Sequence, residues 1–183
     1  MTKRTPEETR DRLIKAAIDI LDEKGMASLT LDAVAYTAMV SKGGLLHHFP
    51  TKEALLNGID DRATQMWTER LAFELSQEPE GTAGRWSRAY IRASFDPTPE
   101  EASVLQALTR IISVYPALIQ RWRTTYDQTS AAMSDDGLPE GRSATIQMAC
   151  DGMWLGEFVG LQLILDSQRA AVRATLLRLT YDD

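Results

Sequence analysis

Apolar residues recur along this chain at spacings of three and four. No stretch alternates apolar and polar residues with period two for long enough to make a strand. The pattern predicts an all-α protein. A capping box at Thr5-Pro6-Glu7-Glu8, with proline at the first helical position, opens a helix whose apolar stripe is Leu13, Ile14, Ala17, Ile18, Ile20 and Leu21; Gly25 ends it. A short helix follows from a Thr30 cap to about Ala38, another from Ser41 to Phe49-Pro50, and a longer one from Lys52 to about Leu75. The polar stretch SQEPEGTAG then separates a head from a body. In the body the pattern predicts helices from Arg85 to about Phe95, Thr98 to Val114 and Pro116 to Met133; after the loop SDDGLPEG it predicts Arg142 to Leu165 and Gln168 to Thr180. The expected architecture is a three-helix head, a connecting helix and a five-helix bundle.

Composition changes this picture little. At 44% hydrophobic and 25% charged, the chain has the balance of an ordinary globular protein. Cys150 is its one cysteine, so no intramolecular disulfide and no cysteine-based metal site is expected. The first residues lack the apolar core of a signal peptide and no apolar run reaches membrane-spanning length; no membrane partner and a cytoplasmic location are the expectation. The net charge of −6 is unevenly spread. Up to Lys52 there are eight Lys and Arg against seven Asp and Glu, and beyond it twelve against nineteen. That suits a nucleic-acid-binding head on an acidic body, as it suits an ordinary solvated surface.

The informative stretch is TLDAVAYTAMVSKGGLLHHFPTK, Thr30 to Lys52. Two short helices are joined by a tight turn near Met39 and Val40. Ala35 is small where they would cross, and Val34, Ala38, Val40, Leu45 and Phe49 are spaced to form their shared core. This is helix-turn-helix geometry, in which the second helix enters the major groove by its N-terminal residues. Gly43 and Gly44 each cost about 1 kcal/mol relative to alanine in a helix. They make sense if the backbone there must approach DNA. Lys42 and His47 are then the candidate readers of base edges, and Leu46 offers apolar contact with a thymine methyl. A metal reading of His47 and His48 fails: neighbouring helical residues point about 100° apart, and no other histidine is present to complete a site. Neither a metal nor another cofactor is expected.

The opening helix, the T-x-x-x-V-A of Thr30 to Ala35 and the V-S-K-G-x-L-x-x-H-F-x-x-K-E-x-L of Val40 to Leu55 resemble the DNA-binding domain of the TetR family of transcriptional regulators. The resemblance covers about the first 60 residues closely and the body only in its helix count. It implies that Thr30, Ser41, His48 and Lys52 hold phosphates. It also implies a homodimer on a palindromic double-stranded operator, and a body that binds a small-molecule effector. Two positions depart from the family. Met39 stands where a turn glycine is usual, so an adjusted turn is expected, and Leu46 stands where a tyrosine is usual, so a hydroxyl contact is lost. Residues 1–50 are thus expected to bind DNA, and residues 51–183, with the connecting helix 52–75, to bind ligand and dimerise.

In the body, Gly152, Gly156 and Gly160 share a helix face with Val159 and Leu163. With Leu176 and Leu177 of the last helix they are the expected dimer seam, in keeping with the family; packing of that face within one subunit is the alternative. The opposite face carries Asp151 and Trp154 toward Trp86, Tyr90, Trp122 and Tyr126, where the resemblance implies an effector pocket; an ordinary aromatic core would carry the same residues. A carboxylate on an apolar face needs a partner, and both Arg121 or Arg123 and a cationic ligand suit Asp151. No phosphate loop, nucleophile elbow or Cys–His pairing supports an enzyme. The expected function is a repressor released from its operator by an effector, against a constitutive dimeric DNA-binding protein with no effector.

Overall fold

The structure, a computed structural model, describes residues 5–158 and 160–181. Among these residues there are nine α-helices and no strand: α1 (Pro6–Lys24), α2 (Leu31–Thr37), α3 (Lys42–His48), α4 (Lys52–Ser76), α5 (Arg85–Phe95), α6 (Pro99–Ile112), α7 (Ile119–Ser134), α8 (Arg142–Phe158) and α9 (Asp166–Arg178). They form two compact units. One runs to Thr64 and takes in Pro99–Ile119; the other comprises Gln65–Thr98 and the chain from Gln120 onward. The single helix α4 therefore belongs to both.

The first unit follows its local sequence signals closely. Thr5 Oγ1 accepts from the Glu8 amide at 3.2 Å and the Thr5 amide donates to Glu8 Oε2 at 2.8 Å, which completes the capping box of α1. Leu13, Ile14, Ala17 and Leu21 bury the inner stripe of that helix. Its other neighbour is α6, which carries Ser103 and Arg110 to Asp22; the Ser103 hydroxyl donates at 2.7 Å and Arg110 forms an ion pair. At the start of α4, the Ala54 amide donates to Thr51 Oγ1 at 3.0 Å. Gly58 lies against the Phe49 ring, where a Cβ would stand 2.6 Å from Cε1, and Arg10 covers that ring at 5.5 Å. Phe49 is buried, so the ring has no room to give way.

In the turn between α2 and α3, Met39 takes a conformation ordinarily left to glycine. Its φ is 50°, the left-handed region that favours glycine. The Val40 amide donates to Ala35 O at 2.9 Å and the Arg12 guanidinium to Ala38 O, so contacts on both sides of Met39 hold it there. The Met39 side chain is exposed and buries nothing in return. Met39→Gly is accordingly expected to raise the stability of the head by about 1 kcal/mol, read as a higher urea midpoint at an unchanged slope.

The second unit depends more on residues distant in sequence. Helix α5 begins at Gly84, which has no side chain to cap it. Asp136, beyond the end of α7, supplies the cap: its carboxylate accepts from the Trp86 amide at 2.8 Å and the Ser87 amide at 2.7 Å. Arg88 Nε pairs with Glu78 Oε2 at 2.6 Å, and Arg92 pairs with the other carboxylate oxygen. Both Arg88 and Glu78 are buried, with side-chain exposures of 5% and 8%. Tyr90, Ile91, Phe95, Met133, Ile146, Cys150, Met153 and Leu176 form the core of the unit. Burial pushes the Cys150 thiol up to about 12, so it packs as an apolar group rather than acting as a thiolate.

One expected element is wrong. The helix from Arg142 does not reach Leu165; α8 ends at Phe158 and Gly160 adopts φ 74°, outside helical space. The Leu161 amide donates to Gly156 O at 2.8 Å and the chain turns back on itself. The next helix starts at Asp166, with the Leu165 amide donating to Gln168 Oε1 at 3.2 Å. A residue free to take positive φ stops a helix as readily as it lines a helical face. Among the described residues no single helix is long and apolar enough to cross a membrane.

Candidate nucleic-acid interface and effector site

The N-terminal ends of α2 and α3 are each held by a cap. Thr30 Oγ1 accepts from the Ala33 amide at 3.1 Å, and Ser41 Oγ accepts from the Gly44 amide at 3.1 Å. Each hydroxyl keeps its own proton, which is what a phosphate oxygen needs. Lys42, Gly43, Leu46 and His47 are exposed, while Gly44, His48 and Lys52 are partly buried. The two glycines have different surroundings. A Cβ on Gly44 would come within 3.0 Å of Val40 Cγ1 and 3.2 Å of Ser41 Oγ, so its smallness serves the fold. A Cβ on Gly43 would meet nothing within 4 Å, so the space outside it is open to a large partner. The rings of His47 and His48 meet edge to face with centroids 5.4 Å apart. Among the described residues no three His, Cys, Asp or Glu side chains come together as a metal would require.

The second unit gathers part of the expected effector site. Asp151, on α8, accepts from the Tyr90 hydroxyl at one oxygen and from the Tyr126 hydroxyl at the other, the latter at 2.9 Å. Its partners are thus two phenols of the chain, and neither Arg121 nor Arg123 supplies them; Arg123 lies 4.0 Å from Asp127. Burial raises the Asp151 carboxyl above its ordinary value, and the two phenol hydrogen bonds offset that only in part. Trp154 and Trp86 pack on the same core, and Trp122 is partly buried one turn before Tyr126 on α7.

Trp67 is the residue that sequence reasoning missed. It stands edge-on to Tyr90 with centroids 5.4 Å apart and to Trp154 at 6.4 Å. Because Trp67 lies on the connecting helix, no helix-face argument confined to the body could find it.

The expected dimer seam is only partly available. Val159 lies outside the described residues. Gly160 and Leu163 fall beyond the end of α8, and Leu163 covers Gly156, where a Cβ would stand 2.6 Å from Leu163 Cγ. Leu176 turns into the core of its own unit and Leu177 packs against that core. Gly152 is open, with nothing within 4 Å of a Cβ, and Met148 and Leu155 on the same helix are strongly exposed.

Two family models match the chain: "Bacterial regulatory proteins, tetR family" over residues 13–59, and "Tetracyclin repressor-like, C-terminal domain" over residues 84–181. The chain belongs to the TetR family. It is an all-α, DNA-binding helix-turn-helix regulator of transcription. Over 162 residues this TetR-family chain is 30% identical to the HTH-type transcriptional regulator CymR of Pseudomonas putida, an alignment spanning 87% of this chain and 70% of CymR. It is also 30% identical over 98 residues to BetI of Klebsiella pneumoniae, across 54% of this chain and half of BetI. Among solved structures, the multidrug binding protein EbrR in complex with imidazole shares the fold at a TM-score of 0.64 and 22% identity, over 95% of this chain and 96% of EbrR. EbrR has also been solved with ethidium and with malachite green.

Proposed function

We propose that this TetR-family regulator is a homodimeric repressor that holds a palindromic operator and releases it when an organic cation seats against Asp151. The observation that carries the effector reading is the position of Trp67. It makes edge contacts with Tyr90 and Trp154, beside the carboxylate that Tyr90 and Tyr126 hold, and it belongs to the same helix as the phosphate-binding candidate Lys52. A ligand that shifts those rings acts directly on α4. It can do so only through unequal affinity for the bound and released states of the dimer.

The chemistry around Asp151 favours a cation. Two neutral phenols satisfy its hydrogen bonds and leave its charge uncompensated, and electron-rich ring faces attract a cation. The complexes of EbrR with ethidium and malachite green are consistent with a cationic ligand in this fold. Two heads then set their α3 helices in successive major grooves, with half-sites about 34–36 Å apart, by Thr30, Ser41, His48 and Lys52 on phosphates and by Lys42, His47 and Leu46 on bases.

Tetraphenylphosphonium, a cation that does not intercalate, tests the reading beside neutral triphenylphosphine oxide. The cation is expected to quench tryptophan fluorescence and to release operator DNA, and the neutral molecule to do neither. Asp151→Asn keeps the shape and removes the charge, and is expected to weaken cation binding about ten- to a hundredfold. Since the cation favours the ionised carboxylate, binding should strengthen as pH rises through the elevated pKa of Asp151 and fade below it. Equal binding by wild type and Asp151→Asn defeats the role of Asp151. Operator that neither molecule releases favours a constitutive DNA-binding protein.

A further inference from the structure

We propose that Asp32 and Lys42 act together as a reader of one G·C base pair in each half-site. Sequence reasoning assigned Lys42, His47 and Leu46 to the bases and gave Asp32 no role. In the folded head Lys42 Nζ lies 2.9 Å from Asp32 Oδ1, with both side chains largely exposed at 65% and 71%. The pair joins the first turn of α2 to the first turn of α3. Beside it, a Cβ on Gly43 would meet nothing within 4 Å, so the first turn of α3 next to Lys42 is open.

A carboxylate facing a duplex repels phosphates and weakens binding to every sequence unless it meets a donor. In the major groove, cytosine offers the N4 amino group as that donor, while guanine offers the N7 and O6 acceptors that suit an ammonium group. Within a G·C pair, guanine O6 and cytosine N4 are themselves hydrogen-bonded at about 2.9–3.0 Å. A donor and an acceptor already 2.9 Å apart on the protein match that edge: Lys42 on guanine O6 and N7, Asp32 on cytosine N4. An adenine–thymine pair also sets an amino donor, adenine N6, beside a carbonyl acceptor, thymine O4, but gives Lys42 one acceptor on that base where guanine gives two, so guanine–cytosine is the better match. Asp32 then fixes which way round the pair lies, because a carboxylate accepts from cytosine N4 and is repelled by guanine O6 when the pair is reversed.

The inference rests on α3 lying in the major groove, and the test separates the two. Sites are selected from random duplexes at fixed salt by wild type, Asp32→Asn, Asp32→Glu and Lys42→Ala, with thermal melting of each variant alongside. Wild type is expected to enrich a palindrome with one invariant G·C pair per half-site. Asp32→Asn should enrich the same palindrome with that preference reduced about ten- to a hundredfold, and should bind non-specific DNA more tightly. Asp32→Glu keeps the carboxylate and should keep much of the preference. An Asp32→Asn profile unchanged at every position, with only a lower melting temperature, overturns the proposal and leaves Asp32 as a first-turn acid favoured by the helix dipole. Failure of wild type to enrich any palindrome overturns the groove reading itself.

Discussion

Glu78→Ala is expected to destabilise the second unit by about 3 kcal/mol, because it leaves the buried Arg88 guanidinium and the partly exposed Arg92 without their carboxylate. Arg88 also donates to Ala83 O at 2.8 Å and to Thr82 Oγ1 at 3.1 Å, so removing the carboxylate loosens the whole connection between α4 and α5. The same pair sets an acid limit. Burial alone would raise the Glu78 carboxyl, but Arg88 and Arg92 more than reverse that and hold it below its ordinary value of 4.5. A group whose pKa falls on folding stabilises the fold fully above its unfolded value and loses that effect as pH drops through the folded one. Wild type should therefore lose stability below about pH 4.5, whereas Glu78→Ala should show a flatter acid limb. Urea unfolding followed by circular dichroism at neutral pH and at pH 3.5 checks both; equal stability of the two proteins at neutral pH would show that the buried network adds nothing.

Lys42→Ala is expected to weaken operator binding by about 1–3 kcal/mol in each half-site, which a dimer doubles. Much of the loss should be specific, because the contact removed is the proposed one to guanine O6 and N7. Lys52→Ala should behave differently. Lys52, partly buried at the start of α4, is the proposed phosphate contact. Its loss should weaken specific and non-specific binding alike and make the salt dependence shallower by about one unit per protomer. Anisotropy titrations of operator and scrambled duplexes across a salt series separate the two roles. Parallel losses on both duplexes for both variants would remove the division between base and phosphate contacts.

The head was readable because its signals are local. A capping threonine, the residue three positions on and an apolar stripe at helical spacing all lie within one or two turns of chain, and the structure keeps each. Even the departure at Met39 was visible, although the expected adjustment of the turn was not what occurred: contacts from Arg12 and Ala35 hold the left-handed conformation in spite of the side chain. The body was legible only in outline. Helix α5 is capped by Asp136, and its neighbour Asp151 is satisfied by Tyr90 and Tyr126, 61 and 25 residues away in the chain. No window of sequence contains both ends of such a contact. The glycine row misled for another reason: spacing of four is equally compatible with a continuous face and with a helix that stops at its third glycine.

The vacancy outside Gly43 also bears on how this regulator can change. Most positions at a protein–DNA boundary are constrained twice, by the fold and by the operator. On the proposed interface Gly43 would be constrained by the operator alone, because a Cβ added there meets nothing within 4 Å and replaces a poor helix former. Operator preference would then be open to change through that single codon, one substitution at a time, without passing through an unfolded intermediate.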